Sequence, residues 1–291
     1  MAYGLNVDWS AIYTRIAGTL FFNHLYLPSA FYFAPMTLSF FKYQGTGNDF
    51  IVLDNRAGHL QFSKAQIIKL CDRKFGIGSD GVVLIEEDAR DDFYMNFYNP
   101  DGSQSFCGNG SRCAVAFARR LGVVGNHGVF RAIDAAHPFL VNDGEIAIQM
   151  ADVDEVQWDH ESCVIHTGSP HLILLSAQPD ALDVQREGAA IRYSERFAKD
   201  GINVNFVRYG EAELWMRTYE RGVEAETLSC GTGVTAAALS LASKTTDVNE
   251  VKVHTKGGDL KVKMEHSARG GFHDIWLCGP AEFVFEGVID L

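Results

Sequence analysis

Basic residues are scarce in this chain, and several chemical signatures are missing from it. Only 25 lysines and arginines stand against 37 aspartates and glutamates in 291 residues, a formal net charge of -12. No basic stripe is left to neutralise phosphates, which argues against a nucleic-acid partner and for a small molecule. Six cysteines (Cys71, Cys107, Cys113, Cys163, Cys230 and Cys278) sit at irregular spacings with no Cys-x-x-Cys pair. A chain this long does not need disulfide staples, so a reduced, cytoplasmic setting is expected. Zinc-ligand spacing is absent as well, because Cys107 and Cys113 are separated by five residues inside an expected helix and lack a second ligand pair. No metal is expected. Nothing marks a Schiff-base lysine, and no cofactor is expected either.

Charge is missing from Ile16 to Phe41 unless His24 is protonated, and Arg15 is the sole cationic side chain of residues 1–35. This segment lacks the basic start and small-residue cleavage site of a secretory signal, and the several arginines of a transit peptide. The uncharged run is long enough to span a membrane, but Asn23, His24, Pro28 and Pro35 interrupt it. Residues 1–35 are therefore read as an upstream extension, with the domain proper starting near Met36. The remaining length, with 47% hydrophobic residues in the chain, suits two modest cores.

What is present is a duplication. Phe106-Cys-Gly-Asn-Gly-Ser-Arg-Cys-Ala-Val-Ala-Phe-Ala-Arg119 and Ser229-Cys-Gly-Thr-Gly-Val-Thr-Ala-Ala-Ala-Leu-Ser-Leu-Ala242 share a Cys-Gly-x-Gly opening before a small-residue apolar helix. Landmarks upstream repeat too. Gly47, Gly76 and Cys107 are 29 and 31 residues apart, while Gly168, Gly201 and Cys230 are 33 and 29 apart.

Between the landmarks the pattern predicts strands at Ile51–Asp54, Val82–Glu86, Tyr94–Tyr98, Glu145–Met150, His171–Leu175, Val204–Val207, Leu214–Thr218, Lys252–Thr255 and Leu260–Met264. Helices are expected at Ser63–Cys71, opened by the capping box Ser63-Lys-Ala-Gln66, and at 108–121 and 231–243. The last two are apolar on nearly all sides, as a helix surrounded by sheet would be.

A thiol at the start of a buried helix meets unpaired backbone N–H groups and the positive end of the macrodipole, which favours the thiolate. Cys107 and Cys230 are both placed that way, and the glycines after each let N–H groups reach an anion such as a carboxylate. One such turn is as readily a tight strand-to-helix connection around a small residue. Two matched copies are different, because a pseudo-twofold axis would set one sulfur on each side of a bound carbon. Inverting a stereocentre needs a base on one face and an acid on the other, and helix starts aimed at the carboxylate would stabilise the carbanion.

Seven ordered motifs then carry a family resemblance: Gly45-Thr-Gly-Asn-Asp-Phe50, Gly76-Ile-Gly-Ser-Asp-Gly81, Tyr98-Asn-Pro-Asp-Gly-Ser103, Cys107-Gly-Asn-Gly110, Gly168-Ser-Pro-His171, Gly201-Ile-Asn-Val204, and Tyr219-Glu-Arg-Gly222 with Cys230-Gly-Thr-Gly233. From about Met36 onwards the chain resembles the diaminopimelate epimerase family. The resemblance implies an α+β fold of two pseudosymmetric domains, each a mixed, mainly antiparallel sheet wrapped around a central apolar helix. Domain bounds of 36–152 with 280–291, and 153–279, are expected. It also implies conversion of L,L-diaminopimelate to the meso form without a cofactor, in lysine and cell-wall synthesis. Family roles would make Cys107 and Cys230 the two bases, with amides around Gly108, Asn109, Gly231 and Thr232 on the reacting carboxylate. Asn48, Asn99, Asn203, Glu220 and Arg221 would hold the amino groups and the distant carboxylate. Ser169 and His171 are expected at the substrate or just behind it. A homodimer is left open.

Taken alone, Asn48 and Asn99 equally shape turns, Glu220-Arg221 reads as a solvated pair, and His171 reads as a structural histidine. The chain also departs from the family pattern. Ser169 stands where an asparagine is usual, which suggests a bridging water, and Gly81 replaces a glutamine of some members. The stretch from Asn99 to Cys107 is one residue shorter than expected and that from Glu220 to Cys230 one longer. A proline-racemase-like enzyme fits less well because Asn109 stands where it has histidine, and a phenazine-type isomerase would lack the paired cysteines. A binding protein without turnover is the rival of a different class.

Overall fold

The computed structural model describes residues 37–245, 247–268 and 270–291. The expected extension and its interrupted apolar run lie outside them. Among the described residues, no helix is long and apolar enough to cross a membrane.

Among the described residues there are seventeen strands, most of them runs that alternate buried and exposed side chains or are buried throughout. In chain order the elements are β1 (Thr37–Gly45), β2 (Asn48–Asp54), α1 (Lys64–Cys71), β3 (Val82–Glu86), β4 (Phe93–Tyr98), α2 (Gly108–Arg120), β5 (His127–Arg131), β6 (Ala136–Asn142) and β7 (Glu145–Gln149). There follow β8 (Trp158–Asp159), β9 (Ser162–His166), β10 (Pro170–Leu175), α3 (Val184–Arg192), β11 (Asn203–Tyr209), β12 (Glu213–Glu220), β13 (Ala225–Thr227) and α4 (Gly231–Ala242). The last strands are β14 (Glu250–Thr255), β15 (Gly258–His266), β16 (Phe272–Gly279) and β17 (Glu282–Asp290).

Strand pairing exposes the duplication. Outward from an antiparallel seam between β7 and β16, one side runs β7, β6, β5, β4, β3, β2, β1 and the other β16, β15, β14, β12, β11, β10, β9. On the first side the successive pairings are antiparallel, antiparallel, parallel, antiparallel, parallel and antiparallel. The second side repeats the same order of pairings. Every parallel pairing requires a crossover, and each crossover carries a helix. Thus α1 links β2 to β3 and α2 links β4 to β5, as α3 links β10 to β11 and α4 links the β12 hairpin to β14. The final strand, β17, pairs antiparallel with β1.

Each half wraps its sheet around one helix. In α2 every residue from Gly108 to Val115 is buried, along with Phe117 and Ala118, against Phe50, Val83, Met95, Phe130 and Ile148. In α4 every residue from Gly233 to Ala242 is buried, against Ile173, Val207, Leu214, Val253 and Val262. Alanines on both helices let strands close in on all sides, so a truncation such as Phe117→Ala would cost about 3–5 kcal/mol. The expected α+β class, with two pseudosymmetric halves around apolar helices, is the one observed.

Candidate active site

The two central helices meet at their N-termini. Cys107 is the N-cap of α2, and its Sγ accepts the Gly110 N–H at 3.4 Å. Cys230 is the N-cap of α4, with its Sγ 3.5 Å from the Thr232 hydroxyl. The helix starts touch through glycine: a Cβ on Gly231 would stand 3.5 Å from the Gly108 Cα and 3.0 Å from Leu277 Cδ2. A Cβ on Gly108 would stand 3.8 Å from the Gly231 Cα. Side chains here would hold the two rows of N–H groups apart.

A cleft opens over this junction. Its first lobe, about 470 Å3, is lined by Asn48, Asn99, Cys107 and Glu220 along with Arg73, Asp80, Phe97 and Phe106. The second, about 680 Å3, is lined by Asn99, Ser169, Asn203, Glu220, Arg221, Cys230 and Thr232, with Asp134 at its margin. Asn99, Phe106 and Glu220 border both lobes, so one thiol from each half faces a shared space. Gly108, Asn109 and Gly231 are buried at the helix junction and line neither lobe, and His171 is fully buried behind Thr232.

Asn48 is oriented from behind. Its Nδ2 donates to Asp80 Oδ2 at 2.6 Å, which turns Oδ1 toward Cys107 Sγ at 4.0 Å and Asn109 Nδ2 at 3.3 Å. Asp80 in turn accepts from Arg73, which also grips Asp49. Asn99 does shape a turn, donating to Ser103 and Ser105, and borders the cleft as well. Across the cleft, Asn203 Nδ2 donates to Ser169 Oγ at 2.8 Å and to the Pro170 carbonyl, while its Oδ1 accepts the Arg221 backbone N–H. Arg221 Nη2 reaches the same Ser169 hydroxyl at 3.4 Å. Ser169 thus joins Asn203 and Arg221 directly. The Gly81 departure also has a cause, because a Cβ there would meet the Phe97 ring at 2.4 Å.

Behind Cys230 runs a polar chain whose direction follows from its ends. Asn205 Oδ1 accepts the Thr218 hydroxyl and its Nδ2 donates to the Leu172 carbonyl, so the same Nδ2 donates to His171 Nδ1 at 3.2 Å. That assignment makes Nδ1 an acceptor and puts the proton on Nε2, 2.8 Å from Thr232 Oγ1. The threonine hydroxyl is then free to donate to Cys230 Sγ.

Burial dominates the electrostatics. Loss of water pushes the Cys107 thiol up to about 11, with the Glu220 carboxylate adding to the rise and the Gly110 N–H opposing it. The same two causes raise Cys230 further. Glu220 is itself raised by burial, against a hydrogen bond from Thr227. At Cys107 the loss of water outweighs the Gly110 N–H, so burial sets the direction of its shift. His171 is pushed down to about 3 by burial, so its ring is neutral.

Sequence reasoning passed over Asp80, Arg73, Phe106, Asp134 and Arg112. Asp80, Phe106 and Arg112 sit inside the repeat and family motifs, and Arg112 is the one charged residue between Gly108 and Ala118. Phe106 stacks on His137 at 4.3 Å, and His137 holds Asp134 at 3.1 Å. No local pattern announces that arrangement.

The cleft of this duplicated α+β scaffold lies at two facing helix starts. The diaminopimelate epimerase family profile matches residues 40–160 and again 163–284. The diaminopimelate epimerase of Flavobacterium psychrophilum is 46% identical over 257 residues, covering 87% of this chain and all of that one. That of Chlorobaculum tepidum is 40% identical, over 85% of this chain and 99% of its own. Among solved structures, a Bacillus anthracis phenazine biosynthesis protein of the PhzF family superposes with a TM-score of 0.70 at 14% identity, over 87% of this chain and 99% of that chain, and so shares the fold alone. The chain belongs to the diaminopimelate epimerase family.

Proposed function

We propose that the protein interconverts L,L- and meso-diaminopimelate by two-base proton transfer at the α-carbon, without a cofactor, in the cytoplasmic synthesis of lysine and peptidoglycan precursors. The observation that carries this reading is one thiol from each half, Cys107 and Cys230, on a single cleft over two touching helix N-termini.

The α-carboxylate would lie on the N–H groups around Gly108, Asn109, Gly231 and Thr232, where each donor aimed at a developing oxyanion is worth about 3–4 kcal/mol. Asn48, Asn99, Asn203, Glu220 and Arg221 would hold the amino groups and the distant carboxylate, with Ser169 bracing Asn203 and Arg221. Burial favours the neutral form of both thiols. An incoming α-ammonium brings positive charge beside them and favours one thiolate, its proton passing to solvent as the substrate binds. That thiolate takes the α-proton, the other thiol returns one to the opposite face, and the roles exchange in the reverse direction. The Thr232 hydroxyl, oriented by neutral His171, supports Cys230 in its anionic turn.

The test is α-proton exchange in deuterated water with L,L-diaminopimelate, metal-free and pyridoxal-free, for wild type, Cys107→Ala and Cys230→Ala. Epimerisation with deuterium uptake, abolished by either substitution, is expected. Turnover that survives one substitution would defeat the two-thiol mechanism, and no turnover by the wild type would defeat the activity.

A further inference from the structure

Arg112 heads the fully buried side chains by size, and it lies in the first turns of α2. Its guanidinium is held by neutral oxygens. Nε donates to the Pro280 carbonyl at 3.2 Å, Nη1 to the Gly108 carbonyl at 3.4 Å, and Nη2 to Thr46 Oγ1 at 3.4 Å and Asn109 Oδ1 at 2.8 Å. Space is kept for it on two sides, since a Cβ on Gly45 or Gly279 would stand 3.3 Å from a guanidinium nitrogen. The titratable groups that act on it are the thiols of Cys113, Cys107 and Cys278. Burial pushes Cys113 up to about 12 and Cys278 up to about 11, so these neighbours are neutral.

A buried cation without a counter-ion is costly, and a neutral side chain would satisfy the same carbonyls more cheaply. The placement explains why a cation is kept. With Oδ1 committed to Arg112, the Asn109 amide presents its NH2 to Asn48 Oδ1 and to the Ser229 carbonyl at 3.2 Å. Ser229 immediately precedes Cys230, so one guanidinium braces the link from the first helix start to the second. Cys107, at the head of the same helix, feels this charge as a stabiliser of its anion, against Glu220 acting the other way.

We propose that Arg112 is a positioning residue for the reaction: it locks Asn109 across the junction of the helix starts, and its unpaired charge stabilises the Cys107 thiolate and the charge that grows on the substrate carboxylate. This rests on the two-thiol reading above. The chemistry needs negative charge twice in this space, and Arg112 is the fixed positive charge that faces it from below.

Arg112→Met and Arg112→Lys separate charge from shape. The first readout needs no substrate: the rate of Cys107 alkylation by iodoacetamide at pH 8, with the site read by peptide mass spectrometry. R112M should alkylate about tenfold more slowly, the effect of one unit in thiol acidity. Its kcat should fall by about 100-fold with KM altered less than about fivefold, as for loss of a transition-state contact. R112K keeps the charge but not the fork, so alkylation should stay within about threefold of wild type while kcat falls about tenfold. Unchanged alkylation in R112M, or wild-type kcat in R112K, overturns the proposal. Where R112M fails to fold by circular dichroism, R112K decides, and slowed alkylation in that variant overturns the role of the charge. A wild type that alkylates normally but leaves diaminopimelate unchanged defeats the proposed activity while still testing Arg112.

Discussion

Replacing His171 with glutamine should blunt the loss of stability that the protein suffers in acid. The imidazole is fully buried, accepts from Asn205 and has no carboxylate beside it, so burial pushes it down to about 3, helped by the charges of His166 and Arg221. A depressed folded value means stability is complete above the unfolded value near 6.5 and drains away as pH falls toward 3. The drain is about 1.4 kcal/mol per pH unit, so pH 4.5 costs roughly 2.7 kcal/mol through this one ring. For a domain of this size that corresponds to about 5–10 °C in melting temperature. Urea or thermal unfolding of wild type and His171→Gln at pH 7.0 and 4.5 measures it, because carboxylates common to both proteins cancel in the difference of differences. The variant starts lower at pH 7.0, having lost hydrogen bonds to Asn205 and Thr232, but should fall less. Parallel losses in the two proteins, or an imidazole that titrates near 6.5 in the folded state by NMR, would refute the reasoning.

Three further outcomes are expected. Asp80→Ala frees the Asn48 amide and one arm of Arg73, and kcat/KM for diaminopimelate should fall about tenfold, equal to one hydrogen bond to a charged group. Gly231→Ala drives a methyl against Leu277 and the Gly108 backbone, which should cost about 1–3 kcal/mol in denaturant and more than about tenfold in kcat, as the helix starts are pushed apart. Cys113 has a raised folded value of about 12, so the stability it contributes is whole below 9 and lost as pH climbs toward 12. Cys113→Ala should therefore lose less stability than wild type between pH 9 and 11, by about 1.4 kcal/mol per unit in calorimetry or denaturant titration.

The nine strands expected from periodicity fall within β2, β3, β4, β7, β10, β11, β12, β14 and β15, apart from Met150 one residue past β7. All nine pack on α2 or α4, as β1, β9 and β16 also do, and in the nine the burial leaves a readable pattern. The capping box at Ser63 is formed with both of its hydrogen bonds. Strand β17 was illegible because its residues are exposed or half-buried throughout, with Phe283, Phe285 and Val288 among them, so no face alternates. Strand β1 was hidden by the uncharged run before it, and α3 by a mixed composition that buries only Val184 and Gly188. At the site, the motifs carried Cys107, Cys230 and the asparagines because glycine turns mark them. Arg112 braces atoms from residue 46 to residue 280, and the Asn205 to His171 to Thr232 line joins three elements. Contacts assembled across such separations have no local signature.

The paired half-sheets bear on handedness. A polypeptide of L-residues cannot build a mirror plane, yet an enzyme that inverts a centre must treat left and right alike. Rotation suffices when the species in transit is flat, because a twofold axis lying in its plane exchanges its two faces. The seam between β7 and β16 joins two matching runs of seven strands, and each half starts its central helix at the same cleft. A chiral chain, used twice, thereby offers an achiral service at one carbon.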